Sequence, residues 1–391
     1  MLDVMSKPIV STSAISSRRI TQVSNGSNST ESAIQRMVNL SVRALPTMYS
    51  QEHEIFGFTR RRGADGEAHL AGKSTRYSAI VLLGALFLSE NAQRQVCCGQ
   101  SAYEFCSQML KKVHLIENLG DAALLSWAAA AMHHADSAAA IERTVTLLSS
   151  DRAFTTVEAA WVLSAMTTAC AFTDVRRESQ EAYERLISTF NQDSGIFPHL
   201  TSLKKGPWYR AHVGCFADQV YPIQALAKYY ALSGDKTALD VANRCAAQIC
   251  RLQGKSGQWW WHYDARTGHV VEGYPVYSVH QDAMAPMALL DLLDAGGANH
   301  IESIRRGIDW LIHAPEIGHS LIDENQGLIW RKVARREPGK ATRQLRALAS
   351  SVASSWHLSW INPLVPPTKI DYECRPYHLG WILHTWLGGS R

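Results

Sequence analysis

The chain has 391 residues, 46 % of them hydrophobic and 19 % charged, which excludes a disordered or low-complexity protein and leaves ample length for a large core. The formal net charge is only +4, and no basic run is dense enough to serve as a nucleic-acid footprint. None of the eight Cys stands in a C-x-x-C pair, so the expectation is buried free thiols in a reducing compartment rather than a disulfide framework or a zinc ribbon.

Taken in chain order, residues 1–30 are rich in Ser, Thr and Asn and read as a flexible tail without a signal-peptide core. Nothing later reaches the roughly 18 apolar residues of a membrane span, so the expectation is a soluble, cytoplasmic protein of bacterial type. From residue 31 onward helical periodicity dominates. Segments 74–88, 120–132, 155–170, 216–232, 279–293 and 375–387 are Ala-rich and apolar on nearly all sides, as buried helices are. Between them, segments 32–45, 100–112, 138–150, 176–190, 237–253 and 299–314 carry charges on one face and apolar residues on the other. Outer and inner helices alternating six times predict an all-α (α/α)6 toroid over 31–391, with an open solenoid as the alternative. The irregular stretch 314–374 is expected to be an insertion or a lid.

Two inner helices look like copies. One reads Asp218-x-x-x-Pro222 and the other Asp282-x-x-x-Pro286. Asp suits a helix start and Pro is tolerated in a first turn. In a toroid the inner helices are parallel, so their starts converge. That end would collect Arg76, Tyr77, Asp121, Glu158, Asp218, Gln219, His280, Asp282, Arg375, Tyr377 and His378. So many ionisable groups are costly to bury without use, which makes this end the candidate pocket. The preceding loops offer Trp208, Tyr209, Arg210 and His212 ahead of Asp218, and Glu272, Tyr274 and Tyr277 ahead of Asp282, as substrate contacts.

One motif remains. In "LQGKSGQWWWHYD" the pattern Gln253-x-x-x-Gly257-x-Trp259 resembles the QW motif of squalene-type terpenoid cyclases, found in weaker form in protein prenyltransferase β-subunits. Asn191-x-x-x-Gly195-x-Phe197 is similar to a degenerate copy, and Arg306-Gly307-x-x-Trp310-Leu311 resembles the helix that accompanies the motif. The resemblance implies a toroid in which Trp259 is a structural rivet, leaving Trp260 and Trp261 free to face a cavity. The family's D-x-D-D-T-A and D-D-x-x-D motifs are missing; His280 and Gln281 stand where acids are expected, with Asp282 one place late. No specific motif calls for magnesium or zinc, and the trio Asp371, Cys374 and His378 is too generic to require a metal.

Three functions stay open. The first is a terpenoid cyclase-like enzyme on an isoprenoid, with Asp282 or Asp218 as an acid raised by burial, His280 beside it, and Trp and Tyr faces stabilising cations. The second is a glycan-active hydrolase, lyase or epimerase with Asp218 and Asp282 as acid/base pair and Arg76, Arg210 or Arg375 on a uronate. The third is a non-catalytic binding protein on the same fold. The two enzyme readings imply a small-molecule partner, isoprenoid or oligosaccharide.

Overall fold

The computed structural model describes residues 17–150, 153–201, 208–337, 341–353, 356 and 358–389, and among these the chain forms fifteen α-helices. They open with α1 (Arg18–Ser24), α2 (Asn28–Ala44), α3 (Thr75–Ala85), α4 (Glu90–Val96) and α5 (Ala102–Leu110). Next come α6 (Leu119–Ala131), α7 (Ser137–Leu148), α8 (Thr156–Ala169), α9 (Arg176–Ile187) and α10 (Ala217–Ser233). The last five are α11 (Lys236–Leu252), α12 (Ala285–Asp294), α13 (Ile301–His313), α14 (Ala341–Val352) and α15 (Pro376–Leu387). The six segments apolar all round become α3, α6, α8, α10, α12 and α15. Each packs on the next and α15 returns to α3, closing an inner ring. The amphipathic segments become α2, α5, α7, α9, α11 and α13 on the outside. The toroid expected from the alternation is therefore the fold.

Ring closure depends on two glycines. A Cβ on Gly84 of α3 would lie 2.3 Å from the carbonyl oxygen of Gly380 in α15, and one on Gly380 would lie 2.9 Å from that of Ile80. With a side chain at either position the two helix backbones could not meet, and the ring would open at its seam.

Two expectations are corrected. The N-terminal tail orders from Ser17 onward, because Ser17 caps α1 and Arg19 gains partners: its buried guanidinium pairs with Asp291 and Asp294 and donates to the Thr385 carbonyl at 3.2 Å. This clasp fastens α1 to the ends of α12 and α15. Residues 1–16 lie outside the described residues. Segment 314–374 is also less irregular than expected. It holds the strand pair Ile322–Asp323 with Leu328–Ile329, the strands Lys332–Ala334 and Lys369–Asp371, and the helix α14. α14 packs on the strand Val270–Glu272 and on the turn Trp208–Arg210. Arg335 and Arg346 hold it down through the buried Glu272, at 3.0 and 3.3 Å. Among the described residues, no helix is long and apolar enough to cross a membrane.

Candidate active site

The starts of the inner helices do converge. Arg76 of α3 donates to Asp121 and Asn118 at the start of α6, both at 2.8 Å, and lies over the Trp161 ring of α8 at 5.2 Å. Trp161 meets Tyr221 of α10 edge-on at 5.0 Å, and Tyr221 accepts from Trp381 of α15 at 2.9 Å. Tyr377 of α15 returns to Tyr77 of α3 at 4.7 Å, and Arg375 donates to the Tyr77 hydroxyl at 2.9 Å. This chain of contacts is the wall of one mouth. A cavity of about 720 Å³ opens beside it, lined by Arg76, Tyr77, Asn118 and Asp121 together with the hairpin that follows α2; neither Asp218 nor Asp282 lines it.

The three consecutive tryptophans go to three places. Trp259 is fully buried and rests on Phe216 and against Gly307 of α13. Gln253 at the end of α11 donates to the carbonyls of Gly257 and Ser303, each at 2.9 Å, so the motif ties two outer helices together. Trp260 turns outward to Tyr274 and lines a groove with Arg335, Arg346 and Pro367. Tyr274 thus faces that groove and Glu316, to which its hydroxyl donates at 2.7 Å, rather than the mouth. Trp261 stacks on His280 with ring planes 11° apart.

The degenerate motif copy proves to be a structural repeat with a register of 62 residues (Gln219 to Gln281). Gln219 accepts the Phe197 amide at 2.8 Å and donates to the Cys215 carbonyl at 3.1 Å. Gln281 accepts the Trp259 amide at 3.2 Å and donates to the Tyr277 carbonyl, also at 3.1 Å. In this register Asp218 corresponds to His280, Cys215 to Tyr277, and His199 to Trp261. The equivalence of Asp218 with Asp282 suggested by the two Asp/Pro patterns uses a register of 64 (Asp218 to Asp282) and is not the structural one. The second helix begins with a π-helical turn, His280–Met284, whose wider winding takes up extra residues before α12 proper.

The two aspartates therefore have separate surroundings. Asp218, without exposure, accepts the Cys215 amide at 2.7 Å and meets Nδ1 of His199 at 3.1 Å. Asp282, equally buried, meets Nε2 of His378 at 2.8 and 2.9 Å. Desolvation raises the Asp282 carboxyl above its ordinary range, with His378 opposing. Asp218 raises the His199 imidazole, as does the more distant Glu158, while Arg210 opposes. The His199 side chain is half exposed.

His280 and His262 are held neutral by burial. His280 lies in an aromatic box of Phe216, Trp261 and Tyr277. The buried Trp161 Nε1, Trp261 Nε1, His262 Nδ1 and His280 Nδ1 find no hydrogen-bond partner among the described residues. Buried polar atoms left unpaired are what a polar ligand or an ordered water satisfies. Cations surround them: Arg331 lies 5.2 Å over the Tyr277 ring, Lys332 5.4 Å over it, and the charges of Arg210 and Arg343 reach His262. Arg210 is exposed and Tyr209 half-buried in the turn under α14; the side chain of Trp208 lies outside the described residues.

His199, Cys215, Arg331 and Arg343 were not singled out from the sequence. His199 had a signal, since "IFPHL" aligned on "QWWWH" puts it in register with Trp261. Asp371, Cys374 and His378 are not gathered: Asp371 pairs with Arg331 and Lys332, and His378 is taken by Asp282. A different trio, His199, Cys215 and Asp218, brings its ligand-type atoms within 4.8 Å of one another.

No family model and no curated protein matches the sequence. Solved structures do match in fold. An unsaturated glucuronyl hydrolase mutant from Streptococcus agalactiae, complexed with dGlcA-GalNAc6S, superimposes with a TM-score of 0.60 at 10 % identity over 97 % of both chains. The unsaturated glucuronyl hydrolase of Bacillus sp. GL1 gives 0.56 at 12 % identity, over 91 % of this chain and 95 % of that one. A possible member of glycoside hydrolase family 105 from Salmonella enterica gives 0.54 at 9 %, over 90 % and 92 %. At such identities the likeness establishes the toroid. These neighbours are not terpenoid cyclases, and the resemblance to that family is confined to the motif.

Proposed function

We propose that this protein is a glycan-active enzyme that cleaves an acidic, uronate-bearing saccharide at the mouth of the toroid. The observation that carries this reading is the setting of Asp218. It is a fully buried carboxylate at the first turn of an inner helix, fixed by the Cys215 amide and joined to the half-exposed His199. The proton held between Asp218 and His199 can pass through the half-exposed imidazole to a bond held at the opening, with Glu158 as the second acid. Arg331, Lys332, Arg343 and Arg210 supply positive charge for a uronate, and Trp261, Tyr277 and Trp161 supply faces and unpaired donors for sugar rings and hydroxyls. The fold neighbours named as glucuronyl hydrolases support the same substrate class.

One observation favours an isoprenoid instead. Asp282 is a raised, buried acid whose backbone carbonyl accepts from the Trp386 indole, and protonation of an apolar substrate requires such an acid. The two readings separate on which aspartate matters. The test assays wild type, Asp218→Asn and Asp282→Asn on uronate-terminated di- and trisaccharides and on linear isoprenoids. Glycan cleavage that falls about 10²–10⁴-fold in Asp218→Asn is expected. Turnover of isoprenoids alone, abolished in Asp282→Asn, would overturn the glycan reading.

A further inference from the structure

We infer that His199, Cys215 and Asp218 form a binding site for a single zinc-class divalent ion at the rim of the mouth. The three residues come from different elements: the loop after α9, the strand Val213–Cys215 and the first turn of α10. An imidazole nitrogen, a thiol sulfur and a carboxylate oxygen lie within 4.8 Å of one another. Ligands about 2.0–2.3 Å from one tetrahedral ion stand up to roughly 4 Å apart, so the trio closes by movements of about 1 Å. Mixed nitrogen, sulfur and oxygen donors suit zinc or cobalt and not magnesium or calcium, which take oxygen alone.

The surroundings are those of a built site. The Cys215 amide, donating at 2.7 Å, fixes one carboxylate oxygen and leaves the other for the ion. Gln219, which donates to the Cys215 carbonyl, holds the strand in place. His199 is half exposed, so an ion enters from solvent and keeps an open coordination position facing the opening. The structural repeat sharpens the case. Its second copy has Trp261, Tyr277 and His280 at the same three stations and no such donor set, so the arrangement does not follow from the fold alone.

The ion's effect on activity rests on the glycan reading: with Asp218 coordinated, its carboxyl is no longer available to transfer a proton, and metal inhibits. Binding itself does not depend on that reading and is measured without substrate. Cobalt(II) chloride is titrated into the full-length protein and into Cys215→Ser and His199→Gln, with folding of each checked by circular dichroism. The expected result is a 1:1 complex of the wild type. It shows a thiolate-to-cobalt charge-transfer band in the near ultraviolet, displaced by zinc and unaffected by magnesium. Cys215→Ser, correctly folded, loses the band, and His199→Gln binds at least tenfold more weakly. A wild type without the band at millimolar cobalt, or a Cys215→Ser protein that keeps it, overturns the proposal. If the band behaves as expected and no glycan is turned over, the ion site stands and the functional reading falls.

Discussion

The turn that holds Trp259 offers the sharpest test of the packing. Gly257 has φ of +97°, and a Cβ there would lie 1.9 Å from the carbonyl oxygen of Arg306 and 2.5 Å from its carbon. Gly257→Ala therefore carries two costs. A non-glycine residue in the left-handed region costs about 1–2 kcal/mol. Forcing the α11–α13 turn apart against a fully buried Trp costs about 1–3 kcal/mol more. The total is about 2–5 kcal/mol. At an unfolding entropy of about 2.1 cal/mol/K per residue, a chain of 391 residues loses about 2–6 °C in Tm. Gly296 provides the control, because its φ is +89° and nothing lies within 4 Å of a Cβ there. Gly296→Ala bears the conformational cost alone and should lose about 1–2 °C. Scanning calorimetry and urea unfolding of both variants measure the difference. Equal losses would refute the claim that the Arg306 backbone makes Gly257 obligatory.

Three further outcomes are expected. Lys228 lies 4.0 Å over the Trp127 ring and 4.0 Å from Asp291, and burial lowers it to about 8 from 10.5. Between those values the unfolded chain binds a proton that the folded one does not, so stability rises with pH across that window, by on the order of 2–3 kcal/mol. Urea midpoints of Lys228→Met should lack the rise, and a wild-type midpoint flat from pH 8 to 10 would contradict it. Asp218 raises His199, so its contribution to stability is full below the ordinary imidazole value and fades as pH climbs through the folded one. Asp218→Asn should move the His199 NMR titration downward, and an unmoved curve would show that the pair is not formed in solution. Glu272 is the buried anchor of Arg335 and Arg346 under α14. Glu272→Gln leaves two guanidinium groups without their counter-charge, a loss of about 3–5 kcal/mol. Trypsin should then cut first near α14, well before global unfolding; unchanged cleavage would mean that other contacts hold the segment.

The toroid was legible because an inner helix and an outer helix differ in composition on every face, and the difference recurs six times. "TTVEAAWVLSAMTTAC" has no polar side to turn to solvent, whereas "RRESQEAYERLISTF" has one along its whole length. What escaped the sequence was mostly what tertiary contacts decide. Arg19 belongs to a Ser-rich tail by composition, and only the carboxylates of Asp291 and Asp294, some 270 residues away, make it part of the core. The strands Lys332–Ala334 and Lys369–Asp371 are three residues each, too short for a period to show.

The site was half legible for a more specific reason. Charged residues at inner-helix starts could be gathered by assuming parallel helices, which placed Arg76, Tyr77, Asp121, Arg375 and His378 correctly at one end. The partner of each acid depends on register, and a local Asp/Pro likeness chose 64 residues where hydrogen bonds choose 62. A π-helical turn is invisible to a 3.6-residue period, yet it decides that Asp218 is matched by His280 and leaves Asp282 to pair with His378. Two aspartates that look like copies are thereby given different neighbours. That asymmetry makes two pairs, Asp218 with the half-exposed His199 and Asp282 with the buried His378. A substrate that arrives from water and carries its own charge meets the first.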